Sequence, residues 1–98
     1  MKWEESFPKE LDEMIEECPL AILPWGAHEW HGPHDAVGLD TLKAYNMALD
    51  LSDEVGGVVM PPVYCGYQTM KPWKGFRHCL EFPRELVYDL VFHHHEIT

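Results

Sequence analysis

Ninety-eight residues allow one domain at most, with a modest core that buries roughly two thirds of the unfolded surface. A hydrophobic content of 46% with 24% charged residues is globular composition and excludes a disordered chain. Seventeen acidic against seven basic side chains give a formal charge of -10, which repels phosphate backbones and anionic lipid headgroups, so neither nucleic acid nor a membrane surface is an expected partner.

In chain order, the stretch from Phe7 to Cys18 carries Leu11, Met14, Ile15 and Cys18 at helical spacing, with Pro8 in the first turn and Pro19 as the stop. "PLAILPWG" follows as a short apolar run bounded by proline and glycine, which reads as a buried strand of a parallel sheet. Asp40 or Thr41 caps a second helix, "TLKAYNMALDLSDEV", with Leu42, Tyr45, Ala48 and Leu49 as its apolar stripe and Gly56–Gly57 beyond its end. "GVVMPPVYCGY" is a second buried strand closed by Pro61–Pro62, "QTMKPWKGFRHCLEF" an aromatic and basic loop, and Pro83 opens a third helix with Leu86, Val87, Leu90 and Val91 on one face.

That alternation predicts an α/β fold with a mainly parallel sheet and crossover helices. Two strands are too few to cover three apolar helix faces, so the 98 residues are expected to form the N-terminal part of a larger α/β domain. Cys18, Cys65 and Cys79 have neither paired zinc-ribbon spacing nor the density of a disulfide scaffold, which points to a reduced, cytoplasmic setting and to structural thiols. No run reaches signal-peptide or membrane-span length.

Most of the chemistry sits in "LPWGAHEWHGPHDAVGLD", Leu23 to Asp40, where Pro24 and Pro33 exclude a helix. Glu29 and His31 are two residues apart, so an extended backbone projects both side chains to one side. Gly32 and Gly38 allow the chain to return and bring Asp40 beside them at the head of the following helix. One imidazole and two carboxylates beyond the carboxyl end of a buried strand make a candidate metal site, against the alternative of a polar surface loop.

The same stretch closely resembles the signature of the creatininase family of metal-dependent amidohydrolases, approximately L-P-x-G-S-x-E-Q-H-G-P-H-L-P-x-x-T-D. Leu23, Pro24, Gly26, Glu29, His31, Gly32, Pro33, His34 and Asp40 fall in register. The resemblance implies an α/β/α three-layer sandwich, of which residues 1–98 are a single incomplete domain. It further implies two divalent ions per intact subunit, zinc, manganese or iron, with Asp40 bridging, Glu29 on one ion and His31 on the other. Metal-activated water, with no protein nucleophile, then hydrolyses a small-molecule amide at a non-peptide and often cyclic C–N bond. A homo-oligomer, a hexamer, is implied for the intact form.

The sequence departs from the pattern where His28 replaces a small or polar residue, Trp30 a glutamine, Ala27 a serine and "DAV" a leucine-proline pair. Trp30 argues against creatinine itself. A later histidine-bearing motif and an acidic ligand of the family are absent, so this chain alone is expected to be inactive. The rival expectation is a non-catalytic remnant or interaction module that needs a second chain, and within enzymes a deformylase or a lactone or cyclic-ketone hydrolase. His34 and His28 are candidates to orient the ligands, and Trp30, Trp73 and Arg77 to line a substrate pocket. His93 to His95 fan out on a helix and read as a polar helix end, not a metal site.

Overall fold

Prolines cut the two apolar runs into shorter pieces than the hydrophobic pattern suggests. A computed structural model describes residues 1–67 and 78–94. In place of one strand over residues 19–26 there are two, β1 (Ala21–Ile22) and β2 (Trp25–Gly26), with Pro24 in the gap. The second run divides likewise into β3 (Val58–Val59) and β4 (Val63–Tyr64) around Pro61–Pro62. Proline has no amide hydrogen to give a ladder, which is why each run breaks there. The helices are α1 (Pro8–Glu17), α2 (Leu39–Val55) and α3 (Arg84–His93), after a single 3-10 turn at Trp3–Glu5. Helices with parallel strand pairing make this an α/β chain, as the pattern predicts.

Two compact units are formed, Met1–Trp25 with Asp40–Val63 and Gly26–Leu39 with Tyr64–Thr98. In the first, β1 pairs in parallel with β3, Ala21 opposite Val58 and Ile22 opposite Val59. Val58 N donates to Leu20 O and Met60 N to Ile22 O, both at 2.8 Å, and Val63 N donates to Pro24 O at 3.0 Å. Two residues advance on each side in the first step, but three against two in the second. The extra residue falls at Pro61–Pro62 and has the count of a β-bulge.

On the other flank of β3, Lys2 forms a parallel bridge with Val59 and Val59 N donates to Met1 O at 2.7 Å. Val59, with extended backbone on both sides and α1 packed on its strand, is fully shielded from solvent. The sequence pattern offers only two strands; the third extended segment is the N-terminal residues, which are too short and too polar to register as one.

The face of α2 that turns inward keeps most of the expected stripe, with Ala48 buried and Tyr45 and Leu49 half-buried, and adds two polar residues to it. Thr41, Ala48 and Ser52 are buried, whereas Leu42 is 41% exposed. Small side chains let the helix approach the strands, and their hydroxyls find partners there. Thr41 Oγ1 donates to Val63 O at 3.0 Å, and Ser52 Oγ donates to Gly57 O at 2.9 Å while accepting from the Met1 ammonium at 2.8 Å. Hydrophobic periodicity finds Ala48 but misses Thr41 and Ser52, because these two buried residues are polar and satisfied.

The other helix ends follow their sequence cues. Glu10 Oε1 accepts from Phe7 N at 2.9 Å, so the first turn of α1 is closed by its own third residue. At the end of α2, Gly56 N donates to Ser52 O at 2.8 Å with Gly56 at φ +87°, the left-handed termination that glycine permits. In α3, Val87 and Leu90 are half-buried while Leu86 and Val91 of the expected face are exposed. His94 Nδ1 and backbone N both meet Leu90 O, at 2.7 Å and 3.0 Å, so described residues of the histidine run close the helix end; His95 lies outside the described residues. Among the described residues no helix is long and apolar enough to cross a membrane.

Gly56 and Gly57 separate two costs. Both are left-handed, but a Cβ on Gly57 would sit 2.9 Å from the Leu20 carbonyl oxygen, whereas on Gly56 it would meet only Cys18 side-chain atoms, the nearer at 3.4 Å. Gly56→Ala should therefore cost about 1 kcal/mol of unfolding free energy, and Gly57→Ala at least about 2 kcal/mol more because the β1–β3 ladder must shift. Urea denaturation of the two variants checks the order.

Candidate metal centre

Between β2 and α2 the chain runs through Ala27 to Gly38 without regular structure, and backbone bonds inside the second unit hold it. Glu29 N donates to Val37 O at 3.0 Å, closing the loop on itself. From the far end of the sequence, Leu80 N donates to His28 O at 3.0 Å, forming an antiparallel bridge, and Trp30 N donates to Cys79 Sγ at 3.2 Å. Leu39 N donates to Ala36 O at 3.1 Å and begins α2, which puts Asp40 in the helix's first turn rather than at its cap. The positive end of a helix favours a carboxylate at that position.

Glu29, His31 and Asp40 each offer one ligand atom, and these atoms lie within 4.8 Å of one another. All three residues are half-buried, and the Nε2 atom of His31 is shielded from solvent. An ion with bonds of about 2.0–2.2 Å places two tetrahedral ligand atoms about 3.4 Å apart, and two ions share a site at about 3.5–4 Å. A spread of up to 4.8 Å thus fits one ion after small side-chain rotations, or two ions bridged by a carboxylate, and the nitrogen and oxygen donors suit zinc, manganese or iron. The residues present fit the metal that the resemblance implies.

The other sequence candidates are placed as follows. His28 stacks on Tyr64, with ring centroids 4.7 Å apart and 18° between planes. Gly38 is buried against that stack, where a Cβ would approach Tyr64 and His28 ring carbons at 3.2 and 3.3 Å. His34 is exposed, its Nε2 3.4 Å from Asp35 Oδ2, with its ring over Gly32 at φ +93°. Trp30 is half-buried beside the ligands. Trp73 and Arg77 lie outside the described residues.

The three cysteines are all free thiols. Cys65 and Cys79 are buried, and burial pushes the Cys65 thiol above its ordinary value. Sequence spacing gives Cys79 no link to Glu29; a separation of 49 residues hides its contact with Trp30.

Ala27, one of the departures from the family pattern, packs against Gly66, and a Cβ on Gly66 would collide with the Ala27 Cβ and lie 3.1 Å from its Cα. Position 27 is thereby kept small by a glycine 39 residues away in sequence.

Comparison with known proteins gives the family. The pattern of the creatininase family, described as creatinine amidohydrolase, matches residues 4–94. The chain belongs to the creatininase family. It is 36% identical over 59 residues to 3-dehydro-scyllo-inosose hydrolase of Thermotoga maritima, covering 60% of this chain and 19% of that protein. It is 32% identical over 62 residues to creatinine amidohydrolase of Pseudomonas putida, covering 63% of this chain and 24% of that protein. The matched stretches thus span about a fifth to a quarter of the curated relatives' length. No solved structure gives a significant match.

The Gly66–Ala27 contact predicts a compensating pair. Gly66→Ala should cost about 1–3 kcal/mol through overpacking, and adding Ala27→Gly should restore most of it. Thermal melts of the single and double variants measure the recovery.

Proposed function

We propose that the protein is a divalent-metal-dependent amidohydrolase that cleaves a non-peptide, often cyclic, C–N bond of a small molecule. The convergence of Glu29, His31 and Asp40 ligand atoms within 4.8 Å, in a chain of this family, carries the reading. Two ions so bound would supply an activated water and polarise the scissile carbonyl.

The chain's own residues have separable tasks. Asp40, with two carboxylate oxygens at the head of α2, would be the residue shared between the ions, and Glu29 and His31 would each hold one of them. Half-burial of all three lowers competition from bulk water for the ions. His28, fixed by its stack on Tyr64, and His34, paired with Asp35, steady the loop that carries the ligands. Trp30 offers an aromatic face to a ring-shaped substrate, and Trp73 and Arg77, outside the described residues, are candidates by residue type for a stacking face and an anion contact.

A two-ion centre takes about five protein ligands, so this reading requires donors beyond these three. We assign residues 1–98 to one incomplete creatininase-like domain, consistent with the 19% and 24% shares of its relatives, and assign the competent form to a homo-oligomer. A second substrate class has its own support. The relative matched at 36% identity is named for an inosose, a cyclic ketone, rather than for creatinine. Parallel hydrolysis assays on cyclic amides and inososes distinguish the two.

Elemental analysis tests the centre. The intact enzyme should carry about two divalent ions per subunit and Asp40→Ala should lose most of both, because the bridge is common to them. Metal content unchanged by that substitution, or an intact protein that binds none, would favour a non-catalytic remnant.

A further inference from the structure

The torsions of Glu29 lie between two planar peptide units, and both are anchored. The first, joining His28 to Glu29, is held at each end, its carbonyl accepting from Leu80 N at 3.0 Å and its amide donating to Val37 O at 3.0 Å. The second, joining Glu29 to Trp30, is held through its amide, which donates to Cys79 Sγ at 3.2 Å. A peptide unit is rigid, so fixing two in succession fixes φ and ψ of the residue between them and hence the direction of its side chain. The next residue but one is His31, on the same side of the extended segment.

We propose that Cys79 is a positioning residue of the metal centre, its sulfur setting the backbone of Glu29 and, through Trp30, the spacing of Glu29 and His31. This rests on the metal-centre reading above. Three observations beyond the thiol itself support it. Cys79 is buried, so its sulfur does not exchange the Trp30 amide for water. Leu80, its neighbour, grips the adjoining peptide unit, so the two residues act on consecutive units of one loop. On its other side His78 adopts φ 63°, a left-handed conformation that costs a side-chain-bearing residue about 1 kcal/mol, and it is held there where the chain turns into this contact. Phe82 N donates to Gly66 O at 3.1 Å and fastens the segment downstream.

A sulfur is a weak acceptor, but an amide buried with no acceptor is costly, so the energetic asymmetry lies in removal. Cys79→Ser keeps an acceptor at slightly shorter reach, and Cys79→Ala keeps none. In the metal-free protein, hydrogen exchange of the Trp30 amide should quicken about 10-fold or more in Cys79→Ala and stay within about 3-fold of the parent in Cys79→Ser. The Mn2+ dissociation constant should rise about 10-fold or more in Cys79→Ala, in the range seen when groups supporting metal ligands are removed, and much less in Cys79→Ser. Cys65→Ala, the loss of another buried thiol in the same unit, should lower stability yet leave Mn2+ binding unchanged. Unaltered Trp30 exchange in Cys79→Ala, or equal Mn2+ loss in the alanine and serine variants, overturns the proposal. Absence of Mn2+ binding in the parent instead defeats the metal reading, and Trp30 exchange alone then decides whether the sulfur sets the loop.

Discussion

The hydrogen bonds that run from Leu20 through Ile22 to Pro24 are the constraint on which the first unit depends. They tie an apolar segment to Val58, Met60 and Val63, and the inserted residue at Pro61–Pro62 lets the ladder continue past a double proline that offers no amides. Buried Val59 and the shielding Met1–Lys2 segment keep water from competing for these bonds. Thr41, bonded to Val63 O, fixes the head of α2 to the same register, one residue after Asp40.

The helices were legible because their periodicity and their proline and glycine punctuation agree. Phe7 and Cys18 flank α1 as the residues just outside it, and Val55 ends α2 before Gly56 as expected. Strand existence was legible too, but not strand length, since an apolar run signals burial without showing which amides are available. The polar residues on the buried face of α2 and the role of Met1–Lys2 escaped for a common reason: Thr41, Ser52 and the N-terminal segment are held through hydrogen bonds rather than through hydrophobicity.

In the candidate site the local part was readable and the remote part was not. Alternation predicts Glu29 and His31 on one side, and glycines with a helix head predict Asp40 within reach; ligand atoms of the three lie within 4.8 Å of one another. What fixes the loop comes from Tyr64 against His28, Gly66 against Ala27, and Cys79 and Leu80 on consecutive peptide units. No period or motif in a single sequence connects positions so far apart. The replacement of serine by Ala27 and of a small or polar residue by His28 becomes intelligible only beside Gly66 and Tyr64.

The account turns on whether Glu29, His31 and Asp40 bind a metal together. X-ray absorption on the protein loaded with Zn2+ addresses that directly. It should show imidazole scattering with a Zn–N distance of about 2.0–2.1 Å alongside carboxylate oxygens, and His31→Ala should remove the imidazole signal while Asp40→Ala depletes bound zinc. A zinc spectrum unchanged by both substitutions would contradict the account.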